Sequence, residues 1–225
     1  SLKVDGVIGS DTRNELNVSA EGRVNQIKVT LERQRWLPDD LGARHVRVNL
    51  ANYSLKAIEN GAETLAMPIV VGRKDRPTPS FVSQITRLVM NPYWNVPHRL
   101  AILDLLPKQQ ENANYFYLHD IRVFATENGQ RVEQDPYLID WTSVSSRNFP
   151  YRLRQEPGEH NALGKIKFLF PNPWSIYLHD TSHKELFKEA KRNFSSGCIR
   201  VADPLGFAGF TVDDSQLHLK VLDMI

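Results

Sequence analysis

Two short runs decide how this chain folds: Trp174-Ser175-Ile176-Tyr177-Leu178-His179-Asp180 at 174–180, and Ser195-Ser196-Gly197-Cys198-Ile199-Arg200-Val201 at 195–201. Apolar and polar side chains alternate in the first run, which predicts a strand with Tyr177 and His179 on the same face. The second run contains the only cysteine of the chain. Together they predict a strand edge at which a thiol and an imidazole meet.

Cys198 has the neighbours that an activated nucleophile requires. A thiol attacks as the thiolate, and at an ordinary pKa of about 8.5 it needs a base or a positive charge nearby. His179 is the candidate base and Arg200 the candidate charge, while Gly197 permits the close backbone approach that amide donors beside a nucleophile need. The alternative is that Cys198 is a small buried apolar residue, the commoner role of a free cysteine.

The segment between the two runs predicts a helix. Ser182 and Glu185 have capping-box spacing, and the apolar stripe that follows consists of Leu186, Phe187, Ala190 and Phe194. Ser195-Ser196-Gly197 would then be the loop that returns the chain to the strand. Asp203-Pro204 predicts the start of a further helix, with an acidic N-cap and proline at the first helical position.

The rest of the chain predicts a mixture of strands and helices. The spacing of apolar residues indicates an amphipathic helix over 21–37, preceded by a short helix in 1–18. Strand-like stretches are 45–50, 65–71, 84–90, 115–119 and 221–224. The polar, aromatic-rich segment 106–150 is predicted to be a loop-rich lid inserted into a sheet domain.

Composition excludes several classes of function. With 225 residues, 41% hydrophobic and 24% charged, the chain is expected to be a soluble protein with one main domain and no membrane span. A net charge of +2 without dense basic clusters argues against a nucleic-acid partner. His45, His98, His119, His160 and His218 lack metal-ligand spacing, so neither a metal nor a cofactor is expected. Ser1 is not preceded by a signal segment, so any export signal or membrane anchor is expected upstream of this chain.

Several motifs in order resemble those of the L,D-transpeptidase (YkuD-type) family. They are His179-Asp180 followed by Ser195–Val201, the run Asn161-Ala162-Leu163-Gly164-Lys165-Ile166-Lys167-Phe168, and the run Asn91-Pro92-Tyr93-Trp94-Asn95-Val96-Pro97. Serine at 196, where the family commonly has histidine, is similar to the large Gram-negative branch typified by YcbB. The resemblance implies a mostly β, α+β fold with a curved-sheet or β-sandwich catalytic domain.

The resemblance also implies a domain organisation. Residues 1–18 resemble the last turn and helix of a peptidoglycan-binding module, and 19–225 would be the catalytic domain. Within it, 106–150 would cap the substrate.

In that family a cysteine attacks the carbonyl after the diaminopimelate of a peptidoglycan tetrapeptide stem, releases D-alanine and forms a thioester. The amine of a second stem resolves the thioester into a 3→3 crosslink. By this resemblance Cys198 is the nucleophile and His179 the base, with the Asp180 main-chain carbonyl orienting the imidazole and the Gly197 amide donating to the oxyanion. The substrate would be contacted by Tyr177, Arg200, Ser196, Trp94 and Asn161.

The resemblance implies further partners and a location. Donor and acceptor stem peptides are the expected substrates, carbapenem-type β-lactams the expected inhibitors, and the periplasm or cell envelope the expected compartment.

Alternatives stay open from the residues alone. Water could resolve the thioester, giving an L,D-carboxypeptidase, or the acceptor could be the terminal lysine of a lipoprotein. A peptidoglycan-binding scaffold with a retired site is a non-catalytic alternative. Arg200 could instead pair with a carboxylate, Tyr177 and Trp94 could be packing residues, and Asn161 could brace a turn.

Overall fold

The computed structural model describes residues 2, 5–212 and 224, and contains two sheets with short helices. The strands are β1 Arg44–Asn49, β2 Ser54–Glu59, β3 Ala62–Gly72, β4 Arg87–Met90, β5 Trp94–Asn95, β6 Ile121–Glu127, β7 Gln130–Gln134, β8 Arg152–Gln155, β9 Ile166–Leu169, β10 Leu178–His179, β11 Asn193–Ser195 and β12 Ile199–Val201. The helices are α1 Ser10–Leu16, α2 Ala20–Gln34, α3 His98–Leu100, α4 Leu106–Glu111, α5 Tyr115–Leu118 and α6 Pro204–Thr211. The predicted α+β fold class is confirmed.

The main sheet has the strand order β1-β2-β3-β12-β10-β9-β4, with β11 beside β3. The strand β2, which the sequence reasoning missed, pairs with β3 across a turn in which Asn60 and Gly61 both have positive φ, as a tight hairpin turn requires. Helix α6 packs on this sheet, with Phe207 and Phe168 fully buried and their rings 4.6 Å apart. Its start follows the prediction, because the Asp203 carboxylate accepts a hydrogen bond from the Gly206 amide.

The second sheet, β5-β8-β6-β7, is antiparallel and has its own apolar core. Phe116 and Trp141 pack edge to face at 5.1 Å in that core. The segment 106–150, expected to be rich in loops, contains the short elements α4, α5, β6 and β7 between its loops. A π-helical turn, Ala101–Leu105, joins α3 to α4 and faces the main sheet through Asp104.

The predicted helix after Ser182 is wrong. Only a 3-10 turn forms there, Lys184–Lys188, and the chain then extends into β11. The reason is competition from the sheet, because the amides of Val71 and Arg73 on and after β3 bond the carbonyls of Arg192 and Ser195. Phe194, predicted to lie in the helix's apolar stripe, is 43% exposed.

Two strand predictions are also corrected. The stretch 115–119 is helix α5, because Gln109 accepts a hydrogen bond from the Phe116 amide and fixes the turn. The predicted strand 174–179 shortens to Leu178–His179. The Asn172 carboxamide causes this by accepting from the Trp174 and Ile176 amides and donating to the Ile176 carbonyl, which closes a loop. The predicted strand 221–224 falls largely outside the described residues.

The amphipathic helix expected at 21–37 forms as α2, but none of its residues is buried. Helix α1 forms within the segment 1–18. The assignment of 1–18 to a peptidoglycan-binding module and of 106–150 to a substrate cap stays a prediction. Among the described residues, no helix is long and apolar enough to cross a membrane.

Candidate active site

Strand pairing brings the two predicted catalytic residues to one end of the main sheet. The strands β10 and β12 run parallel, with Leu178 opposite Ile199 and His179 opposite Arg200. The Ile199 amide donates to the Tyr177 carbonyl at 3.0 Å. Cys198 therefore lies beside Tyr177, one residue before the paired positions.

His179 is held as a neutral base by its surroundings. Its side chain is buried and its Nδ1 is hydrogen-bonded to the Asp180 main-chain oxygen. Because a carbonyl only accepts, Nδ1 carries the proton and Nε2 has the free lone pair. Burial, reinforced by the Arg200 charge, lowers the pKa of His179 to about 3, so the imidazole is uncharged at neutral pH.

The Asp180 side chain fixes the main chain that orients the imidazole. One carboxylate oxygen accepts from the Lys165 amide at 2.8 Å, and the other pairs with the Lys184 ammonium. Gly164 approaches so closely that a Cβ there would lie 2.3 Å from Asp180 Oδ2. The sequence reasoning assigned Asp180 only a carbonyl role and missed this one.

The loop before Cys198 is tied by serine and threonine hydroxyls. Ser195 Oγ donates to the Cys198 carbonyl at 2.5 Å and accepts from the Gly197 amide at 3.1 Å. Thr78 Oγ1 donates to the Gly197 carbonyl at 2.7 Å. Gly197 has a φ of +118°, a conformation that glycine adopts without strain.

The assignment of Gly197 as oxyanion donor stays a prediction. In this structure its N–H donates to Ser195 Oγ at 3.1 Å.

Tyr177 contacts both reacting groups. Its ring lies 5.6 Å from the His179 ring, in agreement with the predicted shared face. Burial raises the pKa of the Cys198 thiol, and hydrogen bonds from the Tyr177 main chain and hydroxyl, with the charges of Lys167 and Arg200, partly offset that rise. Burial raises the pKa of the Tyr177 hydroxyl as well. At rest the site therefore holds a thiol and a neutral imidazole, each in contact with Tyr177.

Of the other predicted substrate residues, the structure places one next to Cys198 and two elsewhere. Ser196 is exposed beside the nucleophile and accepts a hydrogen bond from Arg76 Nη1 at 3.0 Å. Trp94 lies in the second sheet and packs against its core. Asn161 is 1% exposed, and its side-chain amide donates to the Pro92 and Glu156 carbonyls and accepts from the Leu163 amide, so that it braces a turn. Its assignment to substrate binding stays a prediction.

Comparison with known proteins identifies the family of this arrangement. A family model described as the YkuD L,D-transpeptidase catalytic domain matches residues 43–218. The chain belongs to the YkuD family. A Haemophilus influenzae protein named "Putative L,D-transpeptidase" is 38% identical over 184 residues, which are 81% of this chain and 36% of that protein. The chain thus spans about a third of that relative's length.

Comparison with solved structures gives matches whose TM-scores lie below 0.5. The avibactam carbamoyl enzyme of Ldtfm gives a TM-score of 0.41 at 14% identity and covers 77% of this chain and 46% of that one. An L,D-transpeptidase from Mycobacterium smegmatis gives a TM-score of 0.41 at 11% identity over 75% of this chain and 53% of that one. The family assignment rests on the family model and the 38% identical relative.

In this YkuD domain the sequence reasoning missed a clamp that holds residues 195–198 from the side of the second sheet. This segment is called the nucleophile loop because it contains the proposed nucleophile. Arg76 donates to Asp104 at 2.6 and 3.1 Å, Arg73 donates to Asp104 at 3.2 Å, and Arg76 also reaches Ser196. Its sequence signal was the basic Arg73-Lys74-Asp75-Arg76 turn, which gives no hint of a distant carboxylate. Among the described residues, no group of three or more His, Cys, Asp or Glu side chains is arranged to hold a metal ion.

Proposed function

We propose that this chain is a cysteine-dependent peptidoglycan L,D-transpeptidase that forms 3→3 crosslinks. The observation that carries the proposal is the hydrogen bond from His179 Nδ1 to the Asp180 carbonyl, because His179 lies on β10 and β10 pairs with β12, the strand that begins directly after Cys198. It leaves Nε2 as a proton acceptor in the only cysteine-bearing site of the sequence. Membership of the YkuD family supports the same reaction class.

The proposed reaction has two half-reactions. His179 takes the Cys198 proton, and Sγ attacks the carbonyl carbon between diaminopimelate and D-alanine. The C–N bond breaks as the imidazolium returns the proton to the departing amine, which leaves a thioester. The amine of a second stem then attacks the thioester carbon, gives up a proton to His179, and releases the thiol. Lys167 and Arg200 stabilise the negative charge that develops on sulfur and oxygen.

The test is incubation with disaccharide-tetrapeptides followed by mass spectrometry. Wild type is expected to yield 3→3 dimers and free D-alanine, and Cys198→Ala neither. His179→Gln should lower the rate by about 10²–10⁴-fold. The matched control is His183→Gln, because His183 is an exposed histidine on the same segment, with its side chain 61% accessible and bonded to Glu185.

Other products would select among the alternatives. Tripeptide alone would mean an L,D-carboxypeptidase, and dimers that require a lysine-ending lipoprotein peptide would mean lipoprotein attachment. Binding to sacculi without turnover by wild type would mean a scaffold.

A carbapenem gives an independent test of the nucleophile. Intact-mass measurement should detect one adduct on wild type and none on Cys198→Ala. Absence of an adduct on wild type would contradict an activated thiol. Because peptidoglycan stems are the proposed substrate, we infer that the enzyme acts in the periplasm or cell envelope.

A further inference from the structure

Two positively charged side chains flank the catalytic histidine across the sheet. Strand register places Lys167 of β9 opposite His179 on one side and Arg200 of β12 opposite it on the other. Residues directly opposite on neighbouring strands point to the same face of a sheet. Lys167, His179 and Arg200 therefore form one row on the face that carries Tyr177.

Lys167 lies over the ring of Tyr177, the residue that contacts the proposed nucleophile. Its Nζ lies 3.8 Å from the centroid of the Tyr177 ring, and the hydroxyl of that ring is hydrogen-bonded to the Cys198 thiol. An ammonium at this distance over a ring face is held by cation–π attraction. The Lys167 charge is thus held close to the Cys198 sulfur, with only the Tyr177 ring between them.

Neither cation is neutralised within the described part of the chain. No described carboxylate lies within ion-pair distance of Lys167 or Arg200, and the buried Nε of Arg200 has no hydrogen-bond partner there. Glu185 attracts Arg200 through space, but its side chain is 65% exposed and bonded to His183. Partly buried cations without a counter-ion are costly, so the site is built to receive an anion.

We propose that Lys167 and Arg200 form a two-cation cradle that binds a carboxylate of the acyl donor, with Lys167 as a specificity-determining residue. This rests on the proposed function, because a tetrapeptide stem brings two carboxylates to the site. One belongs to the departing D-alanine and the other to the diaminopimelate side chain. The ammonium of Lys167 binds the carboxylate as a point charge, whereas the Arg200 guanidinium offers a planar fork.

The first test compares two reagents that alkylate the same thiol and displace iodide. Iodoacetate carries a carboxylate and iodoacetamide does not. The rate of Cys198 alkylation by iodoacetate is divided by the rate with iodoacetamide, and this ratio is divided by the same ratio for glutathione. The normalised ratio measures how strongly the site attracts a carboxylate. We expect this normalised ratio to be about tenfold above unity in wild type. A general change in thiol accessibility alters both rates together and leaves the ratio unchanged.

Variants assign that ratio to the cradle. Lys167→Met should lower it by about threefold to tenfold, and Lys167→Arg should retain it. The matched control is Lys108→Met, because Lys108 also lies over a tyrosine ring, 5.4 Å from the Tyr115 centroid, but on the second sheet's side of the molecule. A Lys167→Met ratio equal to wild type overturns the proposal.

The second test uses three tetrapeptide donors: the free acid, the terminal amide and the diaminopimelate side-chain amide. Lys167→Met should lower kcat/KM for the free acid about 10- to 100-fold more than for one of the two amides, because the loss of charge stabilisation at the thiolate is common to all three donors. The amide that is less sensitive to the variant identifies which carboxylate the cradle binds. An equal loss on all three donors overturns the proposal.

The two tests separate failure of the cradle from failure of the proposed function. If wild type turns over none of the donors while the alkylation ratio still depends on Lys167, the transpeptidase assignment fails and the anion site stands. If wild type turns over the donors and the alkylation ratio does not depend on Lys167, the cradle proposal is wrong and the transpeptidase proposal is retained.

Discussion

At His179, burial and the nearby Arg200 act in the same direction and keep the imidazole neutral. At Cys198, burial keeps the thiol protonated, against the opposing effect of Tyr177, Lys167 and Arg200. Proton transfer between the two is therefore not complete at rest. In the proposed reaction, the charge separation develops as the thiolate forms close to Lys167 and Arg200.

This balance predicts the pH dependence of thiol reactivity. Alkylation of Cys198 by iodoacetamide should rise continuously above pH 7 as the thiol ionises, with no reactive plateau between about pH 5 and 7. Tyr177→Phe removes a hydroxyl that lowers the thiol pKa, and should shift the profile to higher pH. A plateau on the acid side would mean that a thiolate–imidazolium pair already exists, which contradicts the neutral site described above.

At the scale of elements, the nucleophile loop is held by segments from both sheets. The turn after β3 contributes Thr78 and Arg76, and the π-helical turn contributes Asp104. A π-helical turn is uncommon in proteins, and such turns are frequently found at functional sites. Gly72 lets the turn fold back, because a Cβ there would lie 2.3 Å from the Arg76 carbonyl oxygen.

The clamp predicts a specific effect of Asp104→Asn. Arg76 is 10% exposed and loses its principal partner, so the nucleophile loop should loosen and acylation by a carbapenem should slow by about tenfold. We also expect a loss of about 1–2 kcal/mol in the free energy of unfolding, reduced by the partial exposure of Asp104. Stopped-flow acylation and urea unfolding measure the two effects.

Asp75→Asn is the matched control for that prediction. Asp75 lies 3.4 Å from Arg73 and 3.7 Å from Arg76, but its side chain is 67% exposed. An exposed pair contributes little, so acylation and stability should stay close to wild type. Equal slowing by the two variants would show that net charge near the loop, and not the clamp, sets the rate.

The N-cap of α6 gives a stability prediction that is independent of catalysis. Asp203→Ala removes the hydrogen bond to the Gly206 amide and should lower the free energy of unfolding by about 1 kcal/mol. Asp203→Asn keeps an acceptor and should lose less. Urea unfolding followed by circular dichroism measures both, and an equal loss in the two variants would exclude capping as the cause.

At the scale of the whole molecule, the buried histidine links stability to pH. The unfolded chain binds a proton at an ordinary histidine pKa near 6.5, whereas folded His179 does so only near 3. The unfolded state therefore binds more protons in this window, and stability must fall as pH decreases from about 6.5 towards 3. His119, whose pKa is lowered by burial and by His160, acts in the same direction.

His179→Gln should remove part of that acid sensitivity. As the pH decreases from 6 to 4, the free energy of unfolding should fall for both proteins. The slope for wild type should be steeper than the slope for the variant by about 1.4 kcal/mol per pH unit. His183→Gln, which changes an exposed histidine, should retain the wild-type slope. Parallel curves for wild type and His179→Gln would mean that His179 is not buried as a neutral group.

The sequence by itself determined the family, and it supplied the residues that are proposed to do the chemistry. A lone cysteine after glycine, a histidine on a strand shared with Tyr177, and the Asp203-Pro204 helix start are local signals, because each depends on neighbours within a few residues. Sequence reasoning failed where a distant partner decided the conformation. The residues after Lys188 pair with β3 and do not continue a helix, and Asn172 closes a loop where alternation predicted a strand.

Only the tertiary structure decided which groups surround the thiol. The row of Lys167, His179 and Arg200 depends on the register of three strands that are separate in sequence, and the clamp joins Asp104 to a turn of the other sheet. The use of the Gly197 amide by Ser195 was likewise set by the folded loop. Local periodicity fixes the face of the element on which a side chain lies. The groups that it contacts on that face are fixed by strand register and burial, which follow from packing over the whole chain.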